Sequence, residues 1–240
     1  MNKIYNSFLI TTLAGFTTLL GIIPCLLKNK NNIVIFSLSL SSGVMFCISI
    51  FSLIPESKIY LNNNILLILY IILGFIFALS IDKILDLKVN NNTLFKIGLV
   101  STIALIIHNI PEGIMTFISF NENTKLGIKL AIAIALHNIP EGIAISIPIF
   151  YSTKNISKAF KYTFIAGFSE LLGAIISYIF LINIITKTYL GFILAITSGI
   201  MLEISILELL PESFKYKKNK LSITSFVLGF IIMFICNIIF

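Results

Sequence analysis

The chain has no arginine and no tryptophan, only two histidines and three cysteines, and just 11% of its 240 residues are charged. An ordinary soluble domain carries about a quarter charged residues, so this sequence cannot build a normal water-facing surface. The three cysteines, Cys25, Cys47 and Cys236, lie within or beside apolar runs and show no C-x-x-C spacing. Neither a disulfide framework nor a thiolate metal site follows from them. A glycine-rich phosphate loop is missing too, which excludes nucleotide hydrolysis as an energy source. Every connection between apolar runs is short and polar, so no soluble domain fits between them.

What is there is apolar. Hydrophobic residues make up 58% of the chain, and its mean hydropathy is +1.04. The fold class this implies is all-α integral membrane. A helix needs about 20 residues to cross the hydrocarbon core, and eight runs qualify. They fall at roughly 7–27, 33–55, 65–86, 95–119, 126–150, 159–184, 188–211 and 221–240, and 1–240 is expected to form a single transmembrane domain. Only Lys3 precedes the first run and no small-residue cleavage site follows it, so it reads as a retained span. Asparagine runs such as Asn62-Asn63-Asn64 and Asn90-Asn91-Asn92 read as loop filler within a general bias toward Ile, Asn and Lys.

The net charge of +7 and pI near 9.3 come from lysines in short loops. That placement sets membrane orientation and does not make a nucleic-acid surface. With eight spans, the side holding both termini carries five lysines: Lys3, Lys58, Lys125, Lys129 and Lys187. The opposite side carries the other twelve of the 17. The positive-inside rule puts the twelve in the cytoplasm and both termini outside, in a plasma membrane.

Internal similarity is collinear. Leu13 to Gly21 in span 1 matches Ile165 to Gly173 in span 6. Ser42-Gly43-Val44-Met45 and Leu53-Ile54-Pro55-Glu56-Ser57 in span 2 match Ser198-Gly199-Ile200-Met201 and Leu209-Leu210-Pro211-Glu212-Ser213 in span 7. Leu73-Gly74-Phe75 in span 3 matches Leu228-Gly229-Phe230 in span 8. Spans 1–3 thus pair with 6–8, and span 4 pairs with span 5. Each mate lies an odd number of crossings away, which makes an inverted-topology repeat. In that plan a binding site sits at the repeat interface near the midplane.

Spans 4 and 5 share seven consecutive residues, His108-Asn109-Ile110-Pro111-Glu112-Gly113-Ile114 and His137-Asn138-Ile139-Pro140-Glu141-Gly142-Ile143. Residues four apart on a helix share a face, so His108 faces Glu112 and His137 faces Glu141. Asn109 and Asn138 lie one step round from their glutamates. Pro111 and Pro140 have no N–H for the carbonyls of Ile107 and Leu136, which are freed. Imidazole, amide, carboxylate and free carbonyl together suit a divalent metal. Glycine after each glutamate also has a packing account, since small residues let helices approach.

The ionisable residues within spans are His108, Glu112, His137, Glu141, Glu170, Glu203 and Glu208, each costing roughly 2.5–3.5 kcal/mol to insert. Glu170 has the neutral Thr18 as its repeat mate. Glu112, Glu141 and Glu170 together require neutralising protons or cations. One intramembrane histidine is explained equally well by an interhelical hydrogen bond; two copies of the motif plus Glu170 are not. Pro55 and Pro211 read as helix ends, with Glu56 and Glu212 solvated at the membrane surface. Ser52 and Glu208, repeat mates, read as lining a pathway. Glu203 has no assigned partner.

The paired H-N-x-P-E-G motifs resemble the ZIP (Zrt/Irt-like protein) family of divalent metal transporters, in its short bacterial branch, over the whole chain. The resemblance implies eight spans in a 3+2+3 plan. It also implies a two-metal transport site of His108, Asn109 and Glu112 with His137, Asn138 and Glu141, to whose second position Glu170 contributes. The chain departs from the family at Leu171, where a proline commonly follows the span 6 glutamate, and in the short Leu87–Leu94 connection, too short for a His-rich loop.

The function expected is transport into the cytoplasm of Zn2+ first, or Fe2+, Mn2+, Co2+ or Cd2+. Nitrogen and oxygen ligands suit all of these. The metal is substrate; no resident cofactor and no enzymatic activity are expected. The partners are the cation and the lipid bilayer, with no nucleic acid; a homodimer is compatible with the sequence. The rival reading is an intramembrane zinc protease, which needs a metal-bound water and usually H-E-x-x-H; here Asn follows each histidine. A metal sensor would lack an output domain.

Overall fold

The computed structural model describes residues 2–27, 30–88, 93–181 and 187–239. Lys28, the Asn90-Asn91-Asn92 run, residues 182–186 at the end of the sixth predicted span and Phe240 lie outside the described residues. Among the described residues there is no strand, and eight helices are long and apolar enough to cross a membrane. We number them α1 to α8. Helix α1 is Asn2–Phe16 with a 3-10 continuation over Thr17–Leu26, and α2 is Lys30–Ile48 continued through Ser49–Leu53 and Ile54–Leu61. Next come α3 (Asn64–Lys88), α4 (Thr93–Glu122) and α5 (Thr124–Thr153). Helix α6 is Ile156–Ile176 continued over Ser177–Leu181, and α7 is Lys187–Glu203 continued through Ile204–Leu209 and Leu210–Phe214. Helix α8 is Asn219–Ile239.

Two readings of the sequence need correction. Pro55 and Pro211 do not end their helices. A π-helical turn (Ser49–Leu53, Ile204–Leu209) precedes each, and the helix then runs on to Leu61 and Phe214. The wider turn absorbs the proline's missing N–H, so the helix continues without stopping. Glu212 is accordingly not solvated, and Glu56 is only partly so. Glu56 is half-buried and bonded to the Tyr60 hydroxyl at 2.9 Å; Glu212 is 6% exposed and paired with Lys215 at 2.7 Å. The asparagines between helices are more than filler. Asn62 ends α2 in the left-handed conformation (φ 48°), which asparagine tolerates, and Asn63 Oδ1 accepts from the N–H groups of Ile65 and Leu66 to cap α3.

Burial is similar within the pairs α2–α7, α3–α8 and α4–α5. Buried shares of the apolar windows are 72% and 61% for α2 and α7, against 17% and 22% for α3 and α8. Helices α4 and α5 share intermediate values, 50% and 56%. The close approaches match as well. A Cβ on Gly43 would meet the Phe226 carbonyl oxygen at 2.1 Å, and one on its mate Gly199 would meet that of Ile71 at 2.0 Å. Ile71 and Phe226 are themselves mates at the 155-residue offset of the Leu-Gly-Phe match. Both contacts bring small residues against a neighbouring backbone, as membrane helices do.

Candidate metal centre

All seven residues singled out in the sequence are buried, none more than 5% exposed. Helix α4 supplies His108, Asn109 and Glu112, α5 supplies His137, Asn138 and Glu141, and α6 supplies Glu170. Both motif helices continue unbroken through Pro111 and Pro140. Helix α6 is likewise continuous through Leu171, and its irregular π turn comes later, at Ser177–Leu181. The two motifs face each other because α4 and α5 pack along their length. Glycine permits the flanking approach: a Cβ on Gly113 would lie 1.9 Å from the Glu170 carbonyl oxygen, and one on Gly142 the same distance from that of Thr18.

The carboxylate of Glu112 is the hub. Its Oε1 lies 3.1 Å from Nε2 of His108 and 3.0 Å from Nε2 of His137. Across the helix pair, Nε2 of His108 also lies 3.3 Å from Oε1 of Glu141. Donor atoms of His108, Glu112 and His137 all fall within 4.8 Å of one another. Ligands about 2.1 Å from a tetrahedral zinc are about 3.4 Å from each other, so these spacings need little adjustment to hold one.

The amides also bond to neighbouring helices. Nδ2 of Asn109 donates to the Ala166 carbonyl and Nδ2 of Asn138 to the Ala14 carbonyl, both at 3.0 Å. Ala14 and Ala166 are repeat mates, so the two bonds are one bond repeated. Asn138 also donates to Oε1 of Glu170, which ties α6 to the motif. With their NH2 groups engaged, both amides leave Oδ1 without a partner; Glu112 Oε2, both oxygens of Glu141 and Glu170 Oε2 are equally unbonded. Buried acceptors without donors are costly, and a cation is the group that satisfies such a collection at once.

A cavity of about 200 Å³ leads to this cluster from the bundle end where α2 finishes and α5 begins. Glu112 and His137, each 5% exposed, form its floor, while His108 and Glu141 at 0% lie behind them. Ser52, Glu56, Lys129 and Asn237 line the way in. Ser52 therefore lies on the cavity wall, bonded to Asn237 at 2.9 Å.

Glu208 lies elsewhere, and the reason was missed in the sequence. It lies beside Asp82, a residue of α3 left out of the intramembrane set, and Asp82 pairs with Lys96 at 2.6 Å. Lys96 reads as a loop lysine, yet its side chain is only 12% exposed. Glu203, without a partner in the sequence reading, has Asp82 and Lys96 as its nearest charges. One signal for Asp82 was available: at the 155-residue offset its mate is the polar Asn237.

The profile of the family described as ZIP Zinc transporter matches residues 88–237. Curated relatives align along nearly their whole length. The zinc transporter ZupT of Clostridium perfringens is 34% identical over 100% of this chain and 98% of its own. That of Streptococcus mutans is 35% identical over 99% and 98%, and that of Oceanobacillus iheyensis 37% over 97% of each.

Proposed function

The chain belongs to the ZIP zinc transporter family, and from that premise we propose that it carries divalent transition-metal cations, Zn2+ first among them, into the cytoplasm. The site is the α4–α5 cluster, with His108, Asn109, Glu112, His137, Asn138 and Glu141 as ligands around two positions and Glu170 serving the second. The observation that carries this is the convergence of two imidazoles on one carboxylate, ringed by unbonded oxygens and reached by a cavity.

The lysine asymmetry puts the cavity mouth and both termini outside, with twelve lysines in the cytoplasm. The cavity then belongs to an outward-open state. The single domain, 1–240, is a 3+2+3 inverted repeat in a plasma membrane. Its support is the matched burial of paired helices and the repeated Asn109–Ala166 and Asn138–Ala14 bonds. Alternating access follows from moving the α4–α5 pair against its neighbours. The protease reading has no support in a family of transporters.

The test is Zn2+ uptake into proteoliposomes. Wild-type protein is expected to admit Zn2+ and cleave nothing, and Glu112→Ala and His137→Ala are expected to abolish flux while remaining folded. Undiminished uptake in both variants would refute the site.

A further inference from the structure

The chain turns from α7 into α8 on the side of the bundle away from the cavity, and three lysines gather there. Lys217, Lys218 and Lys220 line one shallow depression, and all are exposed. Lys215, just before them, is paired with Glu212, but among the described residues no carboxylate pairs with these three. A groove of about 400 Å³ adjoins the depression. Pro24 and Leu27 at the end of α1, Ile33 and Phe36 on α2, Ile143 on α5 and Leu221 on α8 give it a mainly apolar lining. Leu221 belongs to both walls, and Nζ of Lys218 donates across to Oδ1 of Asn32, a groove residue, at 2.7 Å. Leu27 and Phe36 are 58% and 41% exposed, so the groove presents apolar surface outward, where the bilayer lies.

The repeat supplies a comparison. At the 155-residue offset the mates of Lys217, Lys218 and Lys220 are Asn62, Asn63 and Ile65, all uncharged. The turn itself is kept, since Lys217 and Asn62 both take the left-handed conformation, at φ 57° and 48°. Making the turn therefore does not call for lysine; asparagine enters that conformation more readily. Membrane orientation calls for charge on this side, but not for a groove beside it.

We propose that the two walls form a binding site for one anionic phospholipid, drawn from the leaflet on the lysine-rich side. Its phosphodiester sits among the three ammonium groups, and an acyl chain lies in the groove against Leu27, Phe36 and Leu221. A phospholipid is the occupant because it joins an anionic head to an apolar tail at the membrane surface, which matches the order of the walls. Ile143, the last residue of the α5 motif, is part of the groove. The chain thus touches the helix that bears half of the metal cluster.

Full-length protein in a neutral detergent is titrated with phosphatidylglycerol and with phosphatidylcholine of the same chains, and bound lipid is counted by native mass spectrometry. A lysine near an anionic lipid surface is worth about fivefold in affinity, so phosphatidylglycerol should bind on the order of 100-fold more tightly. Changing Lys217, Lys218 and Lys220 together to Gln should remove that preference. Changing Lys154, Lys158 and Lys161 to Gln alters net charge equally on the same side and should leave it intact. Loss of the preference in both triple variants, or in neither, would overturn the proposal, as would its absence from wild type. Leu27→Trp narrows the groove at an exposed position without changing charge, and should weaken phosphatidylglycerol several-fold. Wild-type affinity in that variant would remove the acyl-chain seat and with it the proposal. Glycerol phosphate, the head without chains, should not compete at equal concentration; competition there would mark a site for soluble phosphates instead.

Discussion

Gly113 offers no atom to a cation, yet replacing it with alanine should disable the transporter. The added Cβ would start 1.9 Å from the Glu170 carbonyl oxygen, and real Cβ contacts essentially never fall below 3.0 Å. Helices α4 and α6 must therefore part locally by at least 1.1 Å (3.0 − 1.9). The obstacle is backbone, so no rotamer change relieves it. Overpacking of this kind costs about 1–3 kcal/mol, which a bundle of this size can survive. The site cannot, because metal–ligand distances tolerate about ±0.2 Å. The struck residue is Glu170 itself, so in the proposed site the second metal position is lost first. Misplacement by about 1 Å typically costs on the order of 100-fold in rate, and initial Zn2+ uptake should fall by roughly that much. The assay pairs proteoliposome uptake with a thermal melt and a metal count on the same preparation. Gly98→Ala is the control, since its Cβ would meet mainly the movable tip of Ile149, with Cδ1 at 2.6 Å. Wild-type uptake and metal content in Gly113→Ala would show that the α4–α6 distance does not set the site.

Three further outcomes are expected. Each histidine or carboxylate ligand sheds its proton when a cation arrives, so Zn2+ affinity should fall as pH falls; calorimetry at pH 7.5 and 5.5 checks the sign, and tighter binding at the lower value would contradict it. Glu56→Gln removes a carboxylate from the cavity wall without touching the cluster. Uptake at low Zn2+ should drop several-fold while the maximal rate holds, and a change confined to the maximal rate would count against an entry role. Asn138→Leu deletes the bonds to the Ala14 carbonyl and Glu170, at about 0.6 kcal/mol each for polar contacts between membrane helices. A melt lowered by a few degrees and loss of one metal equivalent should result, whereas an unchanged count would remove Glu170 from the site.

The spans and the central residues were legible because both are local properties. Apolar length marks a crossing without reference to its neighbours, and His108 with Glu112 is a pair made by one helix turn. What sequence could not show depends on a second helix. Pro55 and Pro211 look like terminators, since nothing in the residue order reveals the π turn that carries the helix onward. Lys96, twelve residues before His108, looks like one of many loop lysines until α3 and α7 close around it. Asn109 and Asn138 were legible as members of the cluster, but not as the donors that fasten α4 to α6 and α5 to α1.

The repeat explains why these omissions share a character. A bundle built from two matching halves would present a cation with the same groups at either end, and no residence would be favoured along the path. Here Thr18 is answered by Glu170, Cys47 by Glu203, Ser52 by Glu208, and Asn237 by Asp82. Packing tolerates each exchange because the paired backbone approaches are kept, as at Gly113 and Gly142. Three of the four added carboxylates fall at the end away from the cavity, and the fourth falls at the central site. The gradient still sets the direction of net flux. The asymmetry adds carboxylates deep in the bundle, beyond a cavity whose wall already carries Glu56 and Lys129.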